Sequence, residues 1–423
     1  MARYRKQLYI MVSIALAGML CLAEDSIDVL KKRVKEGDRS ALLQLRARLE
    51  PLADAGDTSA MIDLAESYHW YIPWAWVTES YKQKAFELYL QAAAKGSAKG
   101  MYCVGRCYYY GHGQCVAKNR ELAFKWYRKA ADHGSFEAYW ELVKDARSRK
   151  DEAEELRLLH EAAGKGDSEL GRILAIKYEE RKDMRNAIKW YTKAFESADP
   201  KDEDRYLCKL FSAGAIAFIY KMGKDISRDY AEAYKWYNKI LGMVDRESHP
   251  IDAGWVRREL ADFHFHGWHV PMDFAKGVKL LREAAECGDG EACHKLAMFY
   301  MMGLSGPING DTSKLVEIVK YDYDEAIHWE RKGAEAGCYE SIFYFCSHFV
   351  ALRKYNEAYK WLEMGAKEEG EHEGFFKFYL SLCYMKGEGC AKDKEKARRL
   401  LKEAAQKGYD PAIDTCKKIN LSY

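Results

Sequence analysis

A short apolar pattern recurs along the chain at intervals of roughly 40 residues. In copies such as residues 85–93 and 123–131, apolar side chains occupy positions i, i+3, i+4, i+7 and i+8. This spacing places them on one face of an α-helix. Nine copies begin at Ala85, Ala123, Glu155, Ala187, Ala233, Gly277, Ala326, Ala358 and Ala397. We expect each copy to be the second helix of a helix-turn-helix hairpin in a tandem array.

The segments between the copies have their own pattern. A glycine follows most copies, as at Gly96 and Gly134, and a serine or aspartate comes directly after several of these glycines. Glycine readily takes the left-handed conformation that ends a helix, and the hydroxyl or carboxylate next to it can cap the following helix. The first helix of a hairpin then ends in a Gly-x-Gly turn in the best copies, at residues 111–113 and 387–389.

These residues resemble the Sel-1-like repeat family, which is related to the tetratricopeptide repeats. Residues 382–405 match the family signature almost throughout, including Gly387, Gly389, Asp393 and Ala397. The resemblance implies an all-α fold, a right-handed α-solenoid (superhelix) of about nine to ten stacked hairpins. It also implies a role in binding other proteins, usually on the concave face lined by the first helices.

The pattern divides the chain into four parts. We assign residues 1–23 to a signal peptide, 24–58 to a degenerate N-terminal capping hairpin, 59–410 to the repeat solenoid and 411–423 to a C-terminal capping helix and tail. The first hairpin is expected to be degenerate because Pro51 falls inside its second helix. The residues between Gly303 and Tyr321 depart from the repeat, and we expect an extra helical turn or a mobile loop there.

The N-terminal segment has the features of an export signal. Arg3, Arg5 and Lys6 precede an uncharged stretch from residue 8 to 22, and small residues at positions 21 and 23 predict cleavage after Ala23. The mature chain would then be periplasmic or secreted, with no stable membrane span. Retention of the segment as an anchor on a cytoplasmic signalling protein, and lipidation at Cys21, are the alternatives.

The amino-acid composition argues against one class of partner. The chain has 67 Lys and Arg against 65 Asp and Glu. This near-neutral balance gives no electrostatic reason to expect nucleic acid as a partner.

The cysteines predict local disulfides in an exported chain. Cys107 and Cys383 occupy aligned positions four residues before a turn glycine, and each is followed just past the turn by a second cysteine, Cys115 or Cys390. We predict the pairs Cys107–Cys115 and Cys383–Cys390, with reduced, buried cysteines as the alternative. The pairs Cys287–Cys293 and Cys338–Cys346 resemble the helix-stapling disulfides of cysteine-rich family members.

Catalytic, cofactor and metal motifs point to no site. His264, His266 and His269 form a cluster, but alignment of the repeats puts His264 at an inward-packing aromatic position, so we assign no metal. No P-loop, His-Glu-x-x-His or Gly-x-Ser-x-Gly motif occurs, and we expect neither an enzyme nor a cofactor. Some cysteine-rich relatives bind or hydrolyse β-lactams, yet Ser-x-x-Lys, Ser-Asp-Asn and Lys-Thr-Gly are also missing.

Two aromatic groups are candidate contacts for a protein or peptide partner. One lies where a Gly-x-Gly turn is expected, at Trp70, Tyr71, Trp74 and Trp76, and the other comprises Tyr109 and Tyr110. Clustered tryptophan and tyrosine are typical binding anchors, although such aromatics can also fold back over the core. The sequence favours a non-catalytic exported scaffold, and the alternative is a binder, with or without hydrolytic activity, of a small cell-wall-type or peptide ligand.

Overall fold

The computed structural model describes residues 25–69, 78–199, 203–223, 225–244 and 246–423. The chain divides into two compact units. One ends at Tyr178 and also includes Glu196–Asp199, and the other comprises Glu179–Phe195 and Pro200–Tyr423. None of the helices in the described ranges combines the length and the apolar composition of a membrane-spanning segment.

The first unit is built from helices α1 to α9, the last of which extends two residues beyond it. Their bounds are α1 (Ile27–Lys35), α2 (Arg39–Asp54), α3 (Thr58–His69), α4 (Glu79–Ala94), α5 (Ala98–Tyr110), α6 (Arg120–Asp132), α7 (Phe136–Ser148), α8 (Glu152–Gly164) and α9 (Ser168–Glu180). Sequence neighbours pack as antiparallel hairpins, so that α3 pairs with α4, α5 with α6 and α7 with α8.

The second unit continues the same arrangement and adds one small sheet. Its elements are α10 (Met184–Ser197), α11 (Glu203–Met222), α12 (Tyr230–Leu241), α13 (Pro250–His266), α14 (Phe274–Glu286), α15 (Gly290–Met302), β1 (Leu304–Ile308), β2 (Asp311–Val319), α16 (Tyr323–Glu335), α17 (Tyr339–Ala351), α18 (Tyr355–Gly365), α19 (Glu373–Lys386), α20 (Lys394–Gln406) and α21 (Asp410–Lys418). All nine predicted copies lie in helices. The predicted all-helical repeat solenoid is confirmed, apart from the sheet.

The predicted turns between hairpins are also confirmed. Gly96 and Gly134 have φ angles of 88° and 94°, in the left-handed region that ends a helix. The hydroxyl of Ser97 accepts from the Gly100 N–H at 3.2 Å, which caps α5.

A second hydrogen bond closes the hairpins themselves. The backbone N–H of the residue that caps a second helix donates to the carbonyl oxygen of an aromatic or histidine residue near the end of the first helix. The donor and acceptor residues are Asn119 and Tyr108 (2.7 Å), Asp229 and Tyr220 (3.0 Å), Asp273 and His264 (2.9 Å), Asp322 and Tyr300 (2.9 Å), and Asp393 and Tyr384 (2.9 Å). The same bond therefore recurs in both units.

Small residues let the two helices of a hairpin approach closely. Ala85, Ala123 and Ala130 are fully buried. A Cβ atom added at Gly105 of α5 would lie 2.7 Å from the ring of Tyr127 on α6, closer than van der Waals contact allows. The helix spacing is therefore set by the absence of side-chain volume at these positions.

The structure corrects the expectation for residues 303–321. They form an antiparallel β-hairpin, in which Leu304 pairs with Val319 and Ile308 with Asp311, and not a helical turn or loop. Asn309 and Gly310 make the two-residue turn, with φ angles of 53° and 79°. Two positive φ angles are what a type I′ hairpin turn requires, and Asn-Gly is the sequence most suited to it.

Helix α2 also differs from expectation, because it continues through Pro51 to Asp54. The proline is exposed and lies three residues before the end of the helix, so only the last turn follows the intrahelical bond that it removes. Leu45, Leu49 and Ala53 are buried along the other side of the helix. Pro51 therefore does not break this hairpin, and its role as a cap remains a prediction.

We predict that Gly105→Ala lowers the free energy of unfolding by about 1–3 kcal/mol, because the added methyl group overlaps the Tyr127 ring. Gly164→Ala is the matched control. It adds the same methyl group to the end of α8, where nothing lies within 4 Å, and should be neutral or stabilising by up to about 1 kcal/mol. Urea unfolding of both variants measures the difference, and equal losses would contradict this account of the helix spacing.

Candidate binding site

The two predicted tyrosines at the end of α5 have different environments. The ring of Tyr109 packs among Tyr110, Phe124 and Tyr127, with ring centroids 4.9, 6.0 and 6.4 Å away. Tyr110 is 66% exposed and lines a cavity. Trp70, Tyr71, Trp74 and Trp76 lie outside the described residues, so their proposed contact role stays a prediction.

The cavity beside Tyr110 has a volume of about 270 Å³ and lies within the first unit. Helix α3 contributes His69, α4 contributes Tyr89, α5 contributes Cys103, Arg106, Cys107 and Tyr110, and the following turn contributes Gly111 and His112. The four residues of α5 are spaced i, i+3, i+4 and i+7, so they share one face of the helix. The cavity is therefore bounded by two consecutive first helices, α3 and α5, and by the second helix between them.

The Gly-x-Gly turn holds His112 in place. Its two glycines, Gly111 and Gly113, have φ angles of 78° and 65°, which other residues rarely adopt. The backbone N–H of His112 donates to the backbone carbonyl oxygen of Val116 at 2.9 Å. Glu79 at the start of α4 accepts from the Gln114 N–H at 2.7 Å, which ties the turn to the neighbouring hairpin.

Two imidazoles meet at the cavity wall. The rings of His69 and His112 are in edge-to-face contact with centroids 4.4 Å apart. Burial, with smaller contributions from His112 and Arg106, lowers the pKa of His69 to about 4. Burial also lowers the pKa of His112, opposed by a hydrogen bond to the backbone of Lys82. Both rings are therefore neutral at pH 7.

Two residues that line the cavity each have a buried polar atom with no hydrogen-bond partner among the described residues. These atoms are the Tyr89 hydroxyl and His112 Nε2, and their side chains are only 2% and 4% exposed. Burial raises the pKa of Tyr89 well above its usual value. Sequence reasoning missed both residues, because Tyr89 occupies an ordinary core position of the repeat and only the tertiary structure brings it to His112.

The cysteines of the cavity are protonated thiols. Burial raises the pKa of Cys103 to about 12 and also raises that of Cys107. Since the thiolate is the reactive form of cysteine, neither side chain is an activated nucleophile at neutral pH.

Neither predicted disulfide is formed in the structure, in which Cys107, Cys115, Cys383 and Cys390 are all unpaired. Cys107 and Cys383 are buried on the packing faces of their helices. The Cys115 thiol lies 2.7 Å from the His112 carbonyl oxygen, within the turn itself. Cys287, Cys293, Cys338 and Cys346, the pairs suggested by resemblance, are not disulfide-bonded either.

The three clustered histidines of the second unit have separate surroundings. His264 is buried, as its alignment with repeat aromatics predicts. His266 stacks on Trp268 at 4.3 Å, and His269 lies against Tyr234 at 5.7 Å.

Comparison with known proteins places this geometry among repeat proteins. The family model described as Sel1 repeat matches residues 77–97, 98–135, 176–199, 212–240, 257–289, 290–314, 316–338, 343–369 and 377–409. The first two matched segments contain most of the cavity wall.

Curated relatives match over short regions. The chain is 30% identical over 115 residues to "ERAD-associated E3 ubiquitin-protein ligase component HRD3B" of Arabidopsis thaliana, a match that covers 27% of this chain and 16% of that protein. It is 31% identical over 156 residues to "Chitin synthase regulatory factor 3" of Schizosaccharomyces pombe, covering 34% of this chain and 16% of that protein. The chain thus spans about a sixth of the length of either relative.

Solved structures of repeat proteins are similar over longer stretches. A Sel1 repeat protein from Oxalobacter formigenes is 19% identical, with 94% of both chains covered and a TM-score of 0.49. The protective antigen c5321 of uropathogenic Escherichia coli is 21% identical, with 87% of this chain and 80% of that chain covered and a TM-score of 0.42.

The depressed pKa of His69 predicts that acid destabilises the first unit. The pKa is about 4 in the folded chain, against 6.5 for an ordinary histidine. Between these values the unfolded chain binds more protons, so stability is lost as the pH falls from 6.5 toward 4.

His69→Gln should therefore lose less stability than the wild type over this range. Thermal unfolding between pH 7.5 and 4.5 measures the effect, and His133→Gln, which removes an exposed imidazole, is the control. Parallel losses in the wild type and His69→Gln would contradict the assignment of the acid sensitivity to His69.

Proposed function

Because this chain belongs to the Sel1 repeat family, we propose that it is an exported, non-catalytic scaffold that captures a protein or peptide on the surface lined by its first helices. Sel1 repeat proteins generally act as scaffolds for protein interactions. Two relatives are named as a ubiquitin ligase component and a chitin synthase regulatory factor. Both names describe proteins that work together with another protein.

The observation that carries the proposal is the cavity in the first unit. It combines an exposed rim residue, Tyr110, with buried polar atoms of Tyr89 and His112 that have no partner among the described residues. Exposed aromatic side chains next to a cavity are typical of binding surfaces, because they bury a large area with little loss of conformational entropy. A partner side chain that enters the cavity would be anchored while its backbone lies across α3 and α5.

The chemistry of the cavity favours binding over catalysis. Its thiols are protonated, and its imidazoles have lowered pKa values. A nucleophilic cysteine needs a lowered pKa, and burial has the opposite effect at Cys103.

A small ligand is the second candidate, because the cavity approaches the size of a small-molecule site. Its volume of about 270 Å³ lies just below the roughly 300–1,000 Å³ of such sites. A cell-wall fragment or a short peptide would then occupy the cavity by itself. This candidate predicts that binding survives when the surrounding first-helix surface is changed.

Export remains part of the proposal on the basis of the sequence, because residues 1–23 lie outside the described residues. Basic residues followed by an uncharged stretch and small residues at positions 21 and 23 support it. N-terminal sequencing of the protein isolated from its source should begin at Glu24. A start at Met1 or Ala2 would favour the membrane-anchored alternative.

Photo-crosslinking tests the capture of a partner. We predict that benzoylphenylalanine at position 110 yields a saturable protein adduct in the source envelope, and that excess unlabelled wild-type chain competes for it. The same probe at Tyr321, which is similarly exposed at 60% but lies in the second unit, is the matched control. Equal labelling at the two positions, or an adduct that the wild type does not displace, would contradict the scaffold proposal.

The same assay tests the predicted contacts outside the described residues. Alanine at Trp70, Trp74 and Trp76 together should weaken capture at position 110. The unfolding midpoint of this variant shows whether a loss of capture comes from a loss of folding, and unchanged capture would remove these tryptophans from the binding surface.

A further inference from the structure

Two residues that line the cavity, Tyr89 and His112, each have a buried hydrogen-bonding atom that is unsatisfied among the described residues. The side chains of Tyr89 and His112 are both more than nine-tenths buried, and neither the Tyr89 hydroxyl nor His112 Nε2 has a partner within the described parts of the chain. Burying such groups without partners costs free energy, and native proteins rarely tolerate it. Two of them at one cavity therefore indicate a ligand that supplies the missing hydrogen bonds.

The neutral ring of His112 limits what the ligand must offer. Burial lowers the pKa of the ring, so the imidazole is neutral and one of its two nitrogens carries the proton. Nε2, the nitrogen without a partner among the described residues, is then either an acceptor or a donor. A ligand group that can both donate and accept matches His112 in either tautomer.

Tyr89 requires a hydrogen-bond acceptor on the ligand. Burial raises its pKa well above the usual value, so the phenol keeps its proton and can donate. A hydroxyl group on the ligand meets both demands, because it can donate to His112 Nε2 and accept from the Tyr89 O–H. A carboxylate would only accept, and an ammonium group would only donate.

The other side chains that line the cavity favour a ligand in which this hydroxyl is attached to an aromatic ring. Rings of Tyr89, Tyr110, His69 and His112 surround the space, and the Arg106 side chain lies beside them. Aromatic rings and guanidinium groups make favourable contacts with a further ring. An apolar cavity of about 150 Å³ already accommodates benzene, so about 270 Å³ accommodates a substituted ring.

From these observations we propose that the cavity is a socket for the phenol side chain of a partner's tyrosine. The phenol O–H donates to His112 Nε2 and accepts from the Tyr89 hydroxyl, while its ring lies among the aromatic side chains of the wall. The inference rests on the proposed scaffold function, and it specifies the residue by which the partner is anchored.

Small analogues of the tyrosine side chain test the socket without a known partner. p-Cresol is that side chain, toluene lacks its hydroxyl, and 4-methylanisole keeps the oxygen as an acceptor but cannot donate. Ligand-observed NMR titration of the purified full chain should show that p-cresol binds about tenfold more tightly than either of the other two compounds.

Two conservative variants locate the effect. Tyr89→Phe removes only the cavity hydroxyl, and should weaken p-cresol binding about threefold to tenfold while leaving toluene binding unchanged. Tyr127→Phe is the matched control, because Tyr127 is also fully buried in the first unit but does not line the cavity. It should change neither affinity.

Each outcome separates the socket from the scaffold. Equal affinities of p-cresol, toluene and 4-methylanisole would overturn the proposal, because the unpaired polar atoms would then have no part in recognition. If none of the three compounds binds, the socket is also overturned, while competed crosslinking at position 110 would still support the scaffold. Selective p-cresol binding without any captured protein would support the socket and count against the scaffold.

Discussion

The hydrogen bond that closes five of the hairpins is the constraint on which the rest of the structure depends. In five hairpins the N–H of the residue capping the second helix donates to a carbonyl near the end of the first helix, at 2.7–3.0 Å. The bond fixes the two helix ends whatever lies between them. Tyr384 and Asp393 are 9 positions apart, and Tyr300 and Asp322 are 22 positions apart with the β-hairpin between them, yet both pairs bond at 2.9 Å. The loop between the helices is therefore free to vary.

The cavity depends on the variable loop after α5 and on the close packing of α4 against α5. Between α4 and α5, a Cβ added at Gly100 would lie only 2.9 Å from Cβ of Ala92, so the helices are in contact there. About one turn away from this contact, Tyr89, which precedes Ala92 on α4, and Cys103, which follows Gly100 on α5, line the cavity. The bond from Asn119 to Tyr108 leaves a turn long enough to bring His112 over this space. The helix packing and the closing hydrogen bond are thus common to several repeats, whereas the cavity is formed by side chains that occur in one of them.

The helices and turns could be predicted from the sequence because the same pattern occurs in every repeat. Nine copies of one apolar pattern, with glycines such as Gly96 and Gly134 after them, predict the helices and turns that the structure contains. The β-hairpin was missed although Asn309-Gly310 signals it, because residues 303–321 interrupt the repeat and were expected to form an extra helical turn or a loop. Tyr110 was predicted as a contact residue from its place in an aromatic run. Tyr89 and His112 were not, because their unpaired atoms become apparent only when α4 and the turn after α5 are brought together.

The central claim is that a captured partner completes the hydrogen bonding of His112. The ¹⁵N chemical shift of His112 Nε2, measured in the free chain and in the chain saturated with its partner, tests this directly. The account predicts the shift of a bare nitrogen in the free chain and a change toward a hydrogen-bonded nitrogen in the complex, with the exposed His133 unchanged. An unchanged His112 signal in a saturated complex would show that the partner binds elsewhere and would contradict the account.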